Sequence, residues 1–438
     1  MKQNKGVLLY RKAKKVIPGG TQLLSKRPEM FLPDGWPAYY KKCKGINVWD
    51  LDNTKYLDFS ISGVGACALG YADIDVDAAV KKAIKCGNMC TLNVPEEIEL
   101  AELLCDIHPW ADMVRYARTG GEATAIAVRI ARAYSGKEKI LFCGYHGWND
   151  WYISANLAQS SALDGQLLPG LEPAGVPRGL IGTAIPFKYN NLENFKSLIN
   201  KFDGEIAGVV MEPVRSFWPD HDFLYGIRSI TKKKNIPLVF DEVTSGLRMT
   251  SGGIHLKLGI NPDIAVFAKA LGNGYPMAAI IGKAKIMSSA QSTFISSTYW
   301  TDRIGPSAAL ATLKKHKKFR VSEHLVKIGT LVQKGWKELG KKYDLNINIT
   351  GIPPLSHWDI AGCDSQLIHT VIVKEMLKKG FLTSKNFYST YAHKISDVHR
   401  YLNALDDVLR KLNPYIKNSD MKKIYAGPVA HSGFKRLT

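Results

Sequence analysis

The stretch DEVTSGLRMTSGGIHLKLGINPDIAVFAKALGNGYP, residues 241–276, places two acids, Asp241 and Glu242, at the end of the apolar run Ile236 to Phe240. A single lysine, Lys269, ends a second run, Ile264 to Ala268, ahead of a glycine-rich turn. Both runs are short, apolar and bounded by turn residues, the pattern of buried strands. An acid and an amine at the ends of two buried strands are costly unless they are paired or used.

Outward from this stretch, strands and helices take turns between residues 100 and 310. MVRYAR (113–118), KILFCG (139–144), IAGVVMEP (206–213) and MAAIIG (277–282) read as further strands, with EATAIAVRIARAY (122–134) and LYGIRSITKKKN (224–235) as helices. Near-continuous apolar strands separated by helices predict a mostly parallel sheet buried on both faces. An N-terminal hairpin, GINVWDLDNTKYLDFS, is expected to turn at Asp52 and Asn53. After residue 310 the pattern shifts to four longer amphipathic helices with short strands, NINITGI and FLTS, between them. The expected division is an N-terminal segment 1–65, a large domain 66–310 and a C-terminal segment 311–438, the two end segments together forming a smaller α/β domain.

The chain has 438 residues, 59 basic and 39 acidic, for a net charge of +20. Its lysines come in short clusters, such as KKAIK and KKHKKFR, that suit solvated helix faces and helix C-termini. No nucleic-acid-binding signature accompanies them, so no nucleic-acid partner is expected and an anionic small substrate explains the excess more simply. No apolar run approaches the ~18 to 20 residues of a membrane span, and the lysine-rich start lacks an apolar signal segment. A cytoplasmic protein without a membrane partner is expected. The seven cysteines, Cys43, Cys67, Cys86, Cys90, Cys105, Cys143 and Cys363, lack zinc-site spacing, so no metal is expected and buried, reduced thiols are. SGVGACALG has the wrong glycine spacing for a dinucleotide-binding turn.

Parallel α/β sheets carry their chemistry at the carboxyl ends of strands, where Asp241, Lys269 and the turn RTGGEA (118–123) all fall. Thr119, Gly120 and Gly121 open a helix and can offer a hydroxyl and N–H groups to a phosphate. A phosphate cradle, an acid and a lysine together describe pyridoxal 5'-phosphate chemistry: the amine forms a Schiff base, the carboxylate keeps the pyridine nitrogen protonated, and the helix end holds the phosphate.

The ordered motifs RTGGEATAIAVRIARAYSGKEKILFCGYHGW, VVMEP, LVFDEVTSGLR, PDIAVFAKALGNGYPMAAIIG and SSTYW resemble the class III pyridoxal-phosphate aminotransferases of fold type I, most of all the glutamate-1-semialdehyde 2,1-aminomutase branch. That resemblance implies the pyridoxal/pyridoxamine phosphate cofactor, an amino donor and a carbonyl acceptor. It makes Lys269 the Schiff-base lysine and proton shuttle and Asp241 the partner of the ring nitrogen. Val243 would pack on one ring face, expected from its place two residues along the same strand, and Tyr145 would stack on the other with His146 beside it. Glu212 would lie near the ring's hydroxyl side. Thr119, Gly120 and Gly121 match the phosphate positions, and Thr298 matches one that reaches the phosphate from a neighbouring subunit, implying a homodimer.

The substrate positions depart from the aminomutase pattern. PGGTQLLSKRPEMF offers Lys26 or Arg27 in place of its substrate arginine, and LTSKNFYSTYAH offers Asn386, Tyr388 and Thr390 where a glutamate is usual. These changes favour intermolecular transamination, with a hydroxyl-rich acceptor such as a phosphorylated or nucleotide-linked keto-sugar of surface-polysaccharide synthesis. Intramolecular amino transfer and another pyridoxal-phosphate reaction stay open.

Overall fold

The computed structural model describes residues 4–166, 169–214, 216–362 and 365–432. It divides into two compact units, one spanning Ile74–Glu323 and the other built from the segments up to Asp73 and from His324 onward. The boundary expected at residue 310 falls inside the helix Ile304–Lys318, which packs along Ile74–Lys85 and so stays with the larger unit.

The larger unit holds a seven-stranded sheet in the order Met113–Ala117, Ala278–Gly282, Ile264–Phe267, Leu238–Asp241, Ile206–Met211, Lys139–Cys143, Ala184–Pro186. Only Ala278–Gly282 runs antiparallel to its neighbours. The edge strand Ala184–Pro186, only three residues long, was not expected from the sequence. Side chains alternate between faces along each strand. Val239, Ile140, Phe142 and Val210 pack with Ala123, Ile126, Ala127 and Ile130 of the helix Gly120–Ser135. Leu238, Phe240, Leu141 and Val209 meet Phe195, Phe223 and Ile227 of helices on the opposite face. Both faces are covered, as the continuous apolar strands predict.

In the smaller unit, the hairpin Asn47–Asp50 with Lys55–Phe59 turns through Asn53, whose φ is 63°. Phe381–Thr383 adds to it in parallel, tying the N- and C-terminal segments into one sheet. A second, antiparallel sheet joins Ile347–Thr350, Leu355–Ile360 and Asn386–Tyr388. No described helix is long and apolar enough to cross a membrane.

The cysteines differ from expectation. Cys143 is buried, but Cys86 and Cys90 are exposed, and Cys43, Cys67 and Cys105 are intermediate. The helix Ile74–Lys85 stops one residue before Cys86, so CGNMC lies in a loop. Cys363 lies outside the described residues.

Candidate active site

Strands Leu238–Asp241 and Ile264–Phe267 run parallel as neighbours, with Asp241 level with Val266. Asp241 shares its face with Val239, the face covered by the helix Gly120–Ser135, and its side chain is buried at 4% exposure. Two donors hold its carboxylate: His146 Nδ1 at 2.8 Å from Oδ2, and the Val243 N–H at 3.0 Å from Oδ1. His146 is itself buried, and its Nε2 has no partner among the described residues.

Lys269 follows the next strand with a φ of 43°, in the left-handed region a non-glycine residue seldom adopts. Such backbone persists where the surroundings enforce it, often at sites of chemistry. Its Nζ donates to Thr244 Oγ1 at 2.7 Å. Burial pulls the amine's pKa below the ordinary lysine value, outweighing the attraction of Glu212 and Asp241. Proton exchange near neutral pH is thereby easier than for a solvated lysine.

The turn between Asp241 and Gly246 is anchored from behind. Glu242 accepts from the Ile254 N–H at 2.5 Å, the His255 N–H at 3.0 Å and His255 Nδ1 at 2.5 Å. The Trp110 indole N–H donates to His255 Nε2 at 2.9 Å, so that nitrogen bears no hydrogen and the hydrogen on Nδ1 points at Glu242. Against the burial that would raise it, these bonds hold the Glu242 carboxyl below its ordinary value. Val243 was expected on the strand face. The strand ends at Asp241, and Val243 lies in this turn, where it packs against Gly120: a Cβ at Gly120 would come within 2.8 Å of Val243 Cγ1.

Gly120 begins the helix Gly120–Ser135, capped by Thr119. The Thr119 hydroxyl accepts the Glu122 N–H at 3.3 Å, while the Glu122 carboxylate takes the Thr119 N–H at 2.8 Å. The N–H groups of Gly120 and Gly121 lie in the helix's first turn, which has no intrahelical acceptors for them. Gly121 is bracketed by Trp148 and Asn149, whose Nδ2 donates to the Gly121 carbonyl at 2.7 Å. Tyr145 follows Gly144, whose φ of 126° lets it pass Glu212, and the Tyr145 N–H donates to Glu212 Oε2 at 3.1 Å.

Lys269, Asp241, Val243, Tyr145, His146, Glu212, Thr119, Gly120 and Gly121 thus all belong to the larger unit, linked by these contacts. Thr298 is exposed in a turn tied to the helix start through Trp300, whose Nε1 donates to Glu122 Oε1 at 3.4 Å. In the smaller unit Lys26 is exposed, and the Arg27 guanidinium lies against Gly19. Asn386 and Tyr388 line a cavity of that unit, which Lys26 and Arg27 do not. Thr244, His255 and Asn149 were not singled out from the sequence. Thr244 sits inside the quoted stretch, but only the turn's geometry brings it to Lys269.

A chain with this parallel sheet, a lysine and an acid at adjacent strand ends and a glycine-opened helix beside them has the architecture of a pyridoxal-phosphate-dependent transferase. The family model of class-III aminotransferases matches residues 33–391, and the chain belongs to that family. Its cofactor is pyridoxal 5'-phosphate. Among relatives, a 3-aminobutyryl-CoA aminotransferase of Cloacimonas acidaminovorans is 31% identical, over 81% of this chain and 83% of its own. A glutamate-1-semialdehyde 2,1-aminomutase of Nitrosopumilus maritimus is 32% identical, over 92% and 98%. The structure of the Sphingopyxis sp. MTA144 FumI protein in its PLP internal aldimine form superposes with a TM-score of 0.86 at 24% identity, covering 95% of this chain and 98% of that one.

The residues present fit the cofactor. The missing Cβ of Gly120 lets Val243 pack directly on the helix start, that start offers N–H groups without intrahelical acceptors, and a buried carboxylate and a deprotonation-prone amine end adjacent strands.

Proposed function

We propose that the chain is an intermolecular transaminase, moving an amino group from an amino-acid donor, glutamate first, to a keto or aldehyde acceptor of the phosphorylated or nucleotide-linked sugar class. The observation that carries this reading is the Lys269 amine, its pKa lowered by burial and its Nζ held on Thr244, beside the Asp241 and His146 pair. When bound, pyridoxal phosphate supplies an electron sink that makes a proton on the substrate's amino-bearing carbon labile. Lys269 would hold the cofactor and carry that proton on Nζ, with Thr244 Oγ1 orienting the amine. Asp241 would keep the pyridine nitrogen protonated, its charge steadied by His146. Val243 and Tyr145 would pack against the ring, Glu212 would stand on its hydroxyl side, and Thr119, Gly120 and Gly121 would hold the phosphate.

Completion of the cradle by Thr298 of a second subunit, in a homodimer, belongs to the same reading. Around that turn Phe294 and Tyr299 are 84% and 72% exposed. An apolar surface of this kind suits a subunit interface.

The acceptor class is supported by the +20 charge, which attracts anionic substrates, and by neutral polar groups at Asn386 and Tyr388. The second reading, glutamate-1-semialdehyde aminomutase, is favoured by the name of the Nitrosopumilus relative. Against it, Arg27 is packed on Gly19 and the 386–390 segment carries no carboxylate. Isotopically labelled glutamate, incubated with the holoenzyme and a panel of keto-sugars and glutamate semialdehyde, decides between them. Labelled nitrogen in an acceptor product supports the transaminase. Amino transfer from glutamate semialdehyde to its own isomer, with no label incorporated from any donor, overturns it.

A further inference from the structure

The smaller unit contains a cavity of about 370 Å³, within the size range of small-molecule sites. Its lining mixes apolar side chains, among them Phe31, Ile61 and Val64, with the polar groups of His357, Gln366 and Asn386.

Two features of this lining are unfavourable on their own. Ser62, Gly63, Val64 and Gly65 all have positive φ, at 42°, 67°, 59° and 78°, and the Gly65 N–H closes the turn on the Ile61 carbonyl at 2.7 Å. A β-branched valine strongly disfavours that backbone, and strained backbone collects where it is used. The turn is held in place by Ser62 Oγ, which donates to the Tyr388 carbonyl at 2.8 Å, and by the Tyr388 N–H on the Ser60 carbonyl at 2.8 Å.

The second feature is the cross-strand pair His357 and Asn386. His357 Nδ1 lies 2.8 Å from Asn386 Oδ1. A carboxamide oxygen only accepts, so Nδ1 carries the hydrogen and His357 Nε2 is left as an acceptor. Asn386 Nδ2 keeps both its protons, and neither nitrogen has a protein partner among the described residues. Gln366 spends its Nε2 on the His431 carbonyl at 3.2 Å, which leaves Oε1 as a further acceptor.

The cavity is not an anion trap. Lys385, its one lysine, is matched by Asp359 at 3.0 Å. Despite burial, bonds from His369, Ser365 and Lys385 hold the Asp359 carboxyl well below the ordinary range, so it stays charged.

Hydroxyl groups both donate and accept, and neighbouring hydroxyls on a ring match neighbouring donor and acceptor atoms, while the ring's C–H face suits apolar side chains. We propose that this cavity binds a neutral, hydroxyl-rich ring of the pyranose kind, with Asn386 Nδ2 donating to it, His357 Nε2 accepting from it, and Val64 packed on its C–H face. The assignment is of binding alone; it rests on the reading of Asn386 and Tyr388 as acceptor-side groups, and a binding signal is read without any amino transfer.

Saturation-transfer NMR on the full-length holoenzyme tests it, with methyl α-D-glucopyranoside as probe, D-gluconate as the anionic arm and cyclohexanol as the apolar arm. The glucoside should bind with a Kd of roughly a millimolar. Asn386→Leu should weaken it about tenfold by removing the donor. Val64→Gly should also weaken it while leaving the melting temperature unchanged or raised, because glycine takes positive φ at no steric cost. No saturable glucoside signal, glucoside binding unchanged in both variants, or tighter binding of gluconate or cyclohexanol would each overturn the proposal.

Discussion

Replacing Asp241 with asparagine separates the charge of this side chain from its shape. Its two oxygens accept from the Val243 N–H at 3.0 Å and from His146 Nδ1 at 2.8 Å. Asparagine can keep its oxygen on Val243, which has only a donor to offer, so its NH2 must face His146. That pairing works if His146 moves its hydrogen to Nε2, an atom now buried without a partner, and the stranded N–H costs about 1–3 kcal/mol. A protein of this size tolerates such a loss, so Asp241→Asn should fold. The catalytic loss is larger. Opposite unit charges about 4 Å apart attract by about 4 kcal/mol at an effective dielectric of about 20, and that attraction is what would keep the ring nitrogen protonated. Losing it corresponds to about 10³ in rate. Stopped-flow absorbance of the donor half-reaction at saturating donor reads the rate, and a melting curve reads the fold. Turnover within tenfold of wild type in a folded Asp241→Asn protein would refute the reasoning.

Thr244→Val removes the acceptor from the Lys269 amine; a bond to a charged group is worth about 1.5–3 kcal/mol, so the pH–rate limb set by this amine should move acid by about one to two units, while Thr244→Ser leaves it in place. Burial pulls the pKa values of His108 and His316 down to about 4, against about 6.5 unfolded. Both therefore stabilise the fold fully above about pH 6.5 and lose that contribution as pH falls toward 4, about 2 kcal/mol each by about pH 5; denaturant melts at the two pH values check this, and His108→Asn should flatten the dependence. Thr298→Ala and Lys269→Ala chains, each nearly inactive or poor in cofactor alone, should regain activity when mixed, because one heterodimer site then carries neither defect; mixtures that exchange subunits and stay inactive would show that the two residues do not serve opposite sites.

The sheet of the larger unit was legible because its strands are continuous apolar runs, and the two acids and the lysine stood out against them. The edge strand Ala184–Pro186 escaped notice because it is only three residues long and contains a proline. Asp241 and Lys269 could be read from strand ends, and the glycine pair at 120–121 from its place before an amphipathic helix. Val243 was placed by strand alternation, which fails because the strand stops at Asp241. Thr244 was missed because a turn, with no period of its own, swings it onto Lys269. The Glu242, His255 and Trp110 chain joins residues up to 145 apart in sequence, and no local pattern announces a contact of that range. The left-handed turn at Ser62–Gly65 reads in sequence as ordinary glycine-rich loop; only the backbone shows that Val64 is carried into it.

The central claim is that one lysine among many holds the cofactor. Borohydride reduction of the yellow holoenzyme, followed by peptide mapping, tests it most directly. The fixed pyridoxyl group should lie on Lys269 alone, and Lys269→Ala should yield no labelled peptide; a label on any other lysine in the wild-type protein would contradict the assignment.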